Sequence, residues 1–452
     1  MLNFVAIKCL ALALNSARSL LLAAILGPKS YGVFGTLILV QQYLSYAALG
    51  MREGVTVSLA RAHDSRVDVD VLEVAGSALA WGAGVGLSVL IALSVAHFFV
   101  DGMGEYFGWL GVISLLSIVN EILININRDQ NKLKKIALLE VLYNAVPLGV
   151  ALWLWRDVTI AAVLVALAAG LLVNVTIYLA TLPRVRARHV QWRVAKQLVA
   201  VGFPLATLSA LTLLVNSIYV VLANRMGLGD TLGMVVFANT ACTIVLFALN
   251  TVAWAATARS MRRLYVEQSS QAEQSSQTER FRAERLRTAF RLGIVTAALV
   301  SLSTAAVFMV VLKDYAGAEV FLFYFCLLQA YGLLLFDEIN QLTVTGRSSW
   351  VIAGYCSLLA LIFAAHYAFP QATIPTLAIV GIMGYFLLAL AAVCYCQTLG
   401  TRRGHDLPKL AFLFFPVSCA LLYAGSGAGG AVLTCVAFAA LALRFHRAQP
   451  AA

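Results

Sequence analysis

The feature that most constrains this chain is a succession of apolar runs of roughly 20 residues that recurs along its whole length. Each run can cross a hydrocarbon core of about 30 Å as a helix, because an α-helix rises about 1.5 Å per residue. Only 12% of the residues are charged and the mean hydropathy is +0.87, unlike a water-soluble domain. The runs lack the apolar-polar alternation of membrane barrel strands. The sequence therefore predicts an all-α polytopic membrane protein.

Breaks marked by Gly, Pro and charged clusters divide the chain into about fourteen predicted spans. The spans lie near 4–26, 33–59, 73–99, 104–126, 137–155, 158–182, 198–223, 232–258, 291–312, 318–343, 350–369, 373–398, 409–424 and 428–444. Tight joints are expected at 27–32, at Arg156-Asp157 and at the glycine-rich segment 425–430.

The net charge of +11 comes from basic residues at the ends of the apolar runs, without the interleaved aromatics of a nucleic-acid-binding surface. Nucleic acid is therefore not an expected partner. With fourteen spans, 25 of the 32 basic residues fall on one side and four on the other, so the positive-inside rule places both termini in the cytoplasm. The polar segment 259–291 is expected to be a solvated cytoplasmic loop, with docking of a cytoplasmic partner as the alternative.

A weak internal repeat relates the first six spans to the next six. Leu26–Gly32, between spans 1 and 2, is echoed by Met226–Gly233, between spans 7 and 8. Six spans per repeat give both halves the same orientation, so the expected symmetry is a pseudo-twofold axis along the membrane normal. The predicted domains are two six-helix bundles and two additional C-terminal helices, with bounds of 1–190, 191–403 and 404–452.

Polar side chains at helical spacing form one stripe on each of spans 1, 2, 7 and 8. The candidate polar lining of a cavity comprises Asn15, Gln41, Ser45, Asn216, Asn239 and Asn250. Three cations join these stripes, namely Lys8, Arg18 and Arg52. A charge near the bilayer centre costs at least about 2.5–3.5 kcal/mol, so it usually faces a cavity or a partner. Because a guanidinium can donate two parallel hydrogen bonds, the cations favour an anionic, phosphate-bearing cargo.

Each of these assignments has a structural alternative. Lys8 lies near the inner end of its span and could reach the interface, while Arg52 could form an ion pair with Glu53 or another carboxylate. The amide and hydroxyl stripes could be a hydrogen-bonded seam between helices. Four acidic residues are candidates for H⁺ or Na⁺ coupling or for pairing with basic residues: Glu53, Glu121, Asp337 and Glu338. No motif predicts a catalytic residue, a metal site or a bound cofactor.

Several motifs, taken in order, resemble the polysaccharide-transporter branch of the MOP (multidrug/oligosaccharidyl-lipid/polysaccharide) exporter superfamily, the Wzx-like flippases. The motifs that carry this resemblance are Arg18 followed by Leu26–Gly32, Leu49-Gly50 and Arg61 along span 2, Gly202-Phe203-Pro204, and Gly346-Arg347-Ser348. The resemblance implies a MATE-like fold, in which two six-helix bundles surround a cavity lined by spans 1, 2, 7 and 8 and two C-terminal helices follow.

The resemblance also implies a function. Such a chain would carry an undecaprenyl-diphosphate-linked oligosaccharide from the inner to the outer leaflet of the bacterial inner membrane by alternating access, for O-antigen, capsule or exopolysaccharide synthesis. Arg18 and Arg52 would hold the diphosphate. The expected partners are this lipid-linked oligosaccharide, membrane lipid, and a polysaccharide polymerase or glycosyltransferases, with the chain itself a monomer.

Two other functions are compatible with such a chain. A MATE-like multidrug exporter of organic cations would be expected to carry acids where this chain has arginine. A membrane-embedded polysaccharide polymerase or ligase would usually need a substantial outer loop bearing Arg or His, and every predicted outer loop is short.

Overall fold

The computed structural model of the chain describes residues 2–62, 70–99, 104–130, 132–182, 189–227, 229–246, 249, 293–301, 312–335, 339, 342, 347–398 and 407–447. Asn250, Asp337, Glu338 and the polar segment 259–291 lie outside these ranges. The chain divides into two compact units, Met1–Ala210 and Leu211–Ala452. The division into 1–190, 191–403 and 404–452 stays a prediction.

The described residues form helices and their connections, with no strand among them. The helices are α1 Leu2–Ser45, α2 Met51–Ala62, α3 Val71–Ala96, α4 Gly104–Asp129, α5 Leu133–Leu154, α6 Ile160–Thr181, α7 Trp192–Arg225, α8 Gly229–Val245, α9 Ala318–Leu334, α10 Ser348–Ala368, α11 Ile374–Thr398 and α12 Leu407–Arg447, with a further helical segment at 293–301. Eight helices of this described part are long and apolar enough to cross a membrane. Among the described residues, each predicted span contains a helical segment, which confirms the all-α polytopic fold.

The joint between spans 1 and 2 is shorter than predicted. Only Gly27 leaves the helical conformation (φ 69°, ψ 169°), and Pro28 directly begins the next helical segment of α1. Glycine adopts this left-handed φ without a Cβ penalty, and proline suits the first position of a helix because its missing N–H would be unpaired there anyway. In α12, Gly427 (φ 67°) likewise interrupts the helix within the predicted joint at 425–430.

Span 2 was expected to be one continuous helix, and this expectation is wrong. The structure interrupts it with a 3₁₀ turn at Tyr46–Ala48, followed by left-handed backbone at Leu49 (φ 54°) and Gly50 (φ 86°). Helix α2 begins only at Met51. The expected alignment of Ser45 with Arg52 assumed uniform helical rotation, and this assumption fails across the break.

Glycines bring the backbones of α2 and α7 into direct contact within the first unit. A Cβ added at Gly202 would overlap the carbonyl oxygen of Gly50 and the amide nitrogen of Gly54. Side chains of α2, α3, α4 and the start of α7 form one buried cluster around this crossing. Close approach at small residues is a common way for helices to associate in membranes.

Trp81 of α3 forms a hydrogen bond with the interrupted segment of span 2. Its indole Nε1 donates to the carbonyl oxygen of Ala48 (3.2 Å), and its ring lies 5.1 Å from that of Trp192 at the start of α7. The other close helix pairs of this unit are α1 with α5, α3 with α4, and α4 with α6.

The second unit has an aromatic interior. Four of its five fully buried tyrosines among the described residues come from four α-helices and are Tyr219 of α7, Tyr331 of α9, Tyr355 of α10 and Tyr385 of α11. The rings of Tyr331 and Tyr385 stack with centroids 5.6 Å apart, and the Tyr385 hydroxyl donates to that of Tyr355 at 2.9 Å. These contacts link α9, α10 and α11 through neutral groups.

Candidate functional site

Arg18 of α1 is the deepest of the predicted cations and lies among neutral hydrogen-bond acceptors. Its Nη2 donates to the Oδ1 of Asn15 at 2.6 Å, one turn earlier on the same helix. Its Nη1 donates to the Oδ1 of Asn144 of α5 at 3.3 Å. Tyr143, also on α5, is a further neutral neighbour of the guanidinium. The structure therefore places Asn15 and Arg18 together, as the polar stripe predicts.

No carboxylate among the described residues lies within ion-pair distance of Arg18. Its neutral partners satisfy individual N–H groups without cancelling the positive charge. Along the helix axis, Arg18 lies about 14 Å from the Gly27 kink, which is close to half the thickness of a hydrocarbon core. A cation held in this way can attract an anion strongly, because little water competes at such a depth.

Lys8 lies ten residues before Arg18, about 15 Å nearer to the start of α1 along the helix axis. It forms an ion pair with Glu140 of α5, and 12% of the Lys8 side chain and 29% of the Glu140 side chain remain exposed. This contact differs from the interfacial alternative, in which Lys8 reaches the membrane surface. Since Glu140 offsets its charge, Lys8 contributes less than Arg18 to a positive potential.

Arg52, in the first turn of α2, is held by two carboxylates. Its Nε and Nη2 donate to the Oε1 of Glu53 at 2.9 and 2.5 Å, and its Nη1 lies 3.6 Å from the Oε2 of Glu121 of α4. The guanidinium also lies over the ring of Tyr46 at 5.3 Å from its centroid. The ion-pair alternative for Arg52 is thus the arrangement found in the structure, and its role in binding substrate stays a prediction.

A polar network extends from Arg52 toward the end of α4. The Oγ1 of Thr56 accepts from Nη2 of Arg128 at 2.9 Å and lies 3.3 Å from Oδ1 of Asn125. Asn125 in turn donates to the carbonyl oxygen of Glu121 at 2.8 Å. Two arginines and two glutamates therefore share one network between α2 and α4, and Asp129 adds a further negative charge near Arg128.

The other predicted lining residues are spread along both units. Gln41 and Ser45 of α1 are half-buried, and Ser45 donates to the carbonyl oxygen of Gln42 at 2.6 Å. In the second unit, Asn216 and Asn239 are also half-buried, and the Oδ1 of Asn239 is buried without a hydrogen-bond partner among the described residues. Within those residues, no three His, Cys, Asp or Glu side chains cluster as metal ligands would.

The sequence prediction missed the contribution of α5. Glu140, Tyr143 and Asn144 contact the two cations of α1, although no polar stripe was predicted on this span. The available signal was the Glu140-x-x-x-Asn144 spacing, which puts two polar residues on one face of an otherwise apolar helix. A polar pair of this kind inside a span usually faces a partner or a cavity.

Comparison with known proteins gives matches in structure alone. No protein-family model and no curated protein sequence matches the chain. The inward-facing structure of a multidrug resistance MATE family transporter of the MOP superfamily matches with a TM-score of 0.63 and 15% identity, over 89% of this chain and 99% of that one. An outward-facing structure of such a transporter matches with a TM-score of 0.62 and 14% identity, over 88% and 95%.

A third similar structure is that of a MOP superfamily transporter from Pyrococcus furiosus, for which reverse polarity of the binding pocket suggests a different function. It matches with a TM-score of 0.55 and 14% identity, over 88% of this chain and 95% of that one. Each of these structural matches extends over nearly the whole of this chain and of the other protein. The sequence identity is low in all three. The chain therefore has the membrane-transporter fold of the MATE proteins of the MOP superfamily.

Proposed function

We propose that this chain is a flippase, which moves an oligosaccharide linked to undecaprenyl diphosphate from the inner to the outer leaflet of the bacterial inner membrane. Both termini would lie in the cytoplasm. The observation that carries this proposal is the environment of Arg18, a guanidinium deep in the first unit whose described hydrogen-bond partners are all neutral. Such a group favours an anion that must cross the apolar part of the membrane.

A diphosphate suits this site better than a carboxylate or a neutral sugar would. Arginine donates in a planar fork that matches two phosphate oxygens, and hydrogen bonds to charged groups are about twice as strong as those between neutral groups. Asn15 lies beside Arg18, and while its Oδ1 accepts from the guanidinium its Nδ2 would donate to the first sugar. The glycan itself would contact the polar stripes rather than a second charge.

The fold supports transport by alternating access, since the similar structures include both inward-facing and outward-facing transporters. The proposed cargo crosses the membrane without chemical change, so the chain is not expected to be an enzyme. The Pyrococcus furiosus transporter, whose reverse pocket polarity suggests a different function, indicates that proteins of this fold can differ in the polarity of their pockets.

The coupling ion and the partners follow from the same proposal. H⁺ or Na⁺ is the expected driving ion, and Glu121 is a candidate for coupling because 38% of its side chain is exposed and its contact with Arg52 is long. O-antigen, capsule or exopolysaccharide synthesis would supply the cargo through glycosyltransferases and remove it through a polymerase. We propose that the chain acts as a monomer.

Multidrug export is the second candidate, and the likeness to multidrug resistance MATE transporters favours it. An exporter of organic cations needs carboxylates that can face its cargo. In the described residues near the first-unit cations, Glu53, Glu121 and Glu140 each contact a basic side chain. This pairing makes them weaker attractants for a cationic drug than unpaired acids would be.

The test is translocation of a fluorescent undecaprenyl-diphosphate oligosaccharide by the full-length protein in proteoliposomes. We expect Arg18→Ala to slow translocation by about 10-fold or more, because a lost hydrogen bond to a charged group costs about 1.5–3 kcal/mol. Arg193→Ala, which removes an exposed arginine at the start of α7, is the matched control and should leave the rate unchanged. Normal translocation by Arg18→Ala, or transport of organic cations but not of the oligosaccharide, would refute the proposal.

A further inference from the structure

We infer that Asn144 is a positioning residue that fixes the Arg18 guanidinium in place while leaving its positive charge uncompensated. This inference rests on the proposed function, because it assigns a role within the same anion site. Asn144 lies in the middle of α5 and is only 5% exposed. It was not among the residues predicted from the sequence.

The hydrogen bonds of Asn144 determine which of its atoms faces Arg18. Its Nδ2 donates to the carbonyl oxygen of Glu140 at 2.9 Å on its own helix and to that of Ala11 at 3.4 Å on α1. Both amide hydrogens are therefore used, and the Oδ1 is the atom left to accept from Arg18 at 3.3 Å. A flipped amide would point a donor at the guanidinium and lose both carbonyl contacts.

These bonds also restrict the guanidinium itself. Asn144 accepts from Nη1 and Asn15 accepts from Nη2, so two amide oxygens from two helices hold the terminal nitrogens. An arginine has five N–H donors, and these two contacts leave others for a ligand. Arg18 is thus held before an anion arrives, which lowers the entropic cost of binding.

The choice of an amide is meaningful because the neighbouring cations have carboxylate partners. Glu140 pairs with Lys8, while Glu53 and Glu121 surround Arg52. An aspartate at position 144 would have nearly the same shape as asparagine and could accept the same hydrogen bond. It would also neutralise Arg18 and repel an incoming phosphate. Asparagine provides the hydrogen bond without the negative charge.

The test measures binding of inorganic pyrophosphate to the full-length protein in nanodiscs across a range of pH. We expect Arg18→Ala to abolish binding, and Asn144→Ala to weaken it about 2- to 10-fold through the loss of one hydrogen bond. Asn144→Asp should weaken it by about 10-fold or more at neutral pH, since the new carboxylate pairs with Arg18. Asn174→Asp, at a 4% exposed asparagine of α6, is the matched control and should bind like the wild type.

The pH profile separates a charge effect from misfolding. The affinity of Asn144→Asp should approach that of the wild type at low pH, where the introduced carboxyl is neutral and its oxygen still accepts from Arg18, and should fall relative to the wild type as the pH rises. Using this ratio cancels the titration of pyrophosphate itself. The charged or titratable groups around position 144 are common to both proteins and include Lys8 and Arg18 of α1, Glu121 of α4, and Glu140 and Tyr143 of α5.

The outcomes distinguish this inference from the proposed function. If Asn144→Asp binds pyrophosphate as the wild type does, or is weakened equally at every pH, the role of Asn144 is refuted. If the wild type binds pyrophosphate with the expected dependence on Asn144 but does not translocate the oligosaccharide, the inference stands and the flippase proposal falls. If the wild type binds no pyrophosphate, both are overturned.

Discussion

Replacing Gly202 by alanine tests whether the backbones of α2 and α7 touch. The added methyl group would overlap the carbonyl oxygen of Gly50 and the amide nitrogen of Gly54. Both are backbone atoms, so no side-chain rotation can relieve the overlap. Either the two helices separate, or the break in span 2 changes its conformation.

The size of the effect follows from two opposing contributions. Inserting a methyl group into a packed contact typically costs about 1–3 kcal/mol, and rigid backbone neighbours place this site at the upper end of that range. Separation of the helices also weakens dispersion contacts within the buried cluster that includes Met51, Val55 and Leu198. Alanine is favoured over glycine by about 0.5–1 kcal/mol within a helix. We expect a net loss of about 2–3 kcal/mol in the free energy of unfolding.

Thermal unfolding of the full-length protein in detergent, followed by tryptophan fluorescence, measures this loss. The Trp81 and Trp192 rings lie 5.1 Å apart beside the crossing, so their signal reports on this region. The midpoint should fall by about 2–7 °C, the larger value applying if the first unit unfolds by itself. Gly84→Ala is the matched control, because Gly84 lies within α3 and an added Cβ would meet no atom within 4 Å. This control should gain about 0.5–1 kcal/mol in stability.

An unfolding midpoint for Gly202→Ala at or above that of the wild type would refute the close backbone contact. A fall of equal size in Gly84→Ala would also refute the reasoning, since the cost would then belong to any glycine substitution in a span. Gly50→Ala should be more damaging than Gly202→Ala, because its φ of 86° adds a conformational cost to the same overlap.

Two further predictions concern single contacts. Gly381→Ala should lose about 1–3 kcal/mol because its Cβ would meet the hydroxyl of Tyr219, which is buried and has no hydrogen-bond partner among the described residues. Tyr219→Phe should be nearly neutral alone and should restore most of that loss in the double variant, so additive losses in thermal unfolding would contradict the contact. Trp81→Phe removes the hydrogen bond to the carbonyl of Ala48 and should cost about 1 kcal/mol. Hydrogen exchange at residues 46–54 should then accelerate, and unchanged exchange there would show that Trp81 does not stabilise the break.

The helical spans could be predicted because bilayer thickness fixes the length of each apolar run. The joint at Gly27-Pro28 was also predictable in position, since both residues have distinct backbone preferences. The break before Met51 could not be predicted, because Leu49-Gly50 lies inside an apolar run and does not lower the hydropathy of that run. Its cause is tertiary, namely the approach of Gly202 from a helix about 150 residues away.

The candidate site was predictable in part for a similar reason. A cation inside an apolar run is conspicuous, so Arg18 and Arg52 could be selected from their positions alone. The hydrogen-bond partners of these arginines could not be predicted, because Asn144, for example, contacts Arg18 from 126 residues away in the sequence. Sequence also could not show whether each cation would meet an amide or a carboxylate, and this difference decides how strongly it attracts an anion.

Arg18 and Arg52 illustrate that difference within a single unit. An anion approaching Arg52 must compete with Glu53, which already accepts from two of its nitrogens, and is repelled by Glu121 nearby. An anion approaching Arg18 displaces no negative charge among the described residues, because the guanidinium is held by the neutral amides of Asn15 and Asn144. Coulombic attraction in a poorly hydrated site is large enough for this contrast to outweigh differences in shape. Arg18 is therefore the residue on which recognition of a diphosphate would chiefly depend, whereas the bonds of Arg52 suit it to joining α2 to α4.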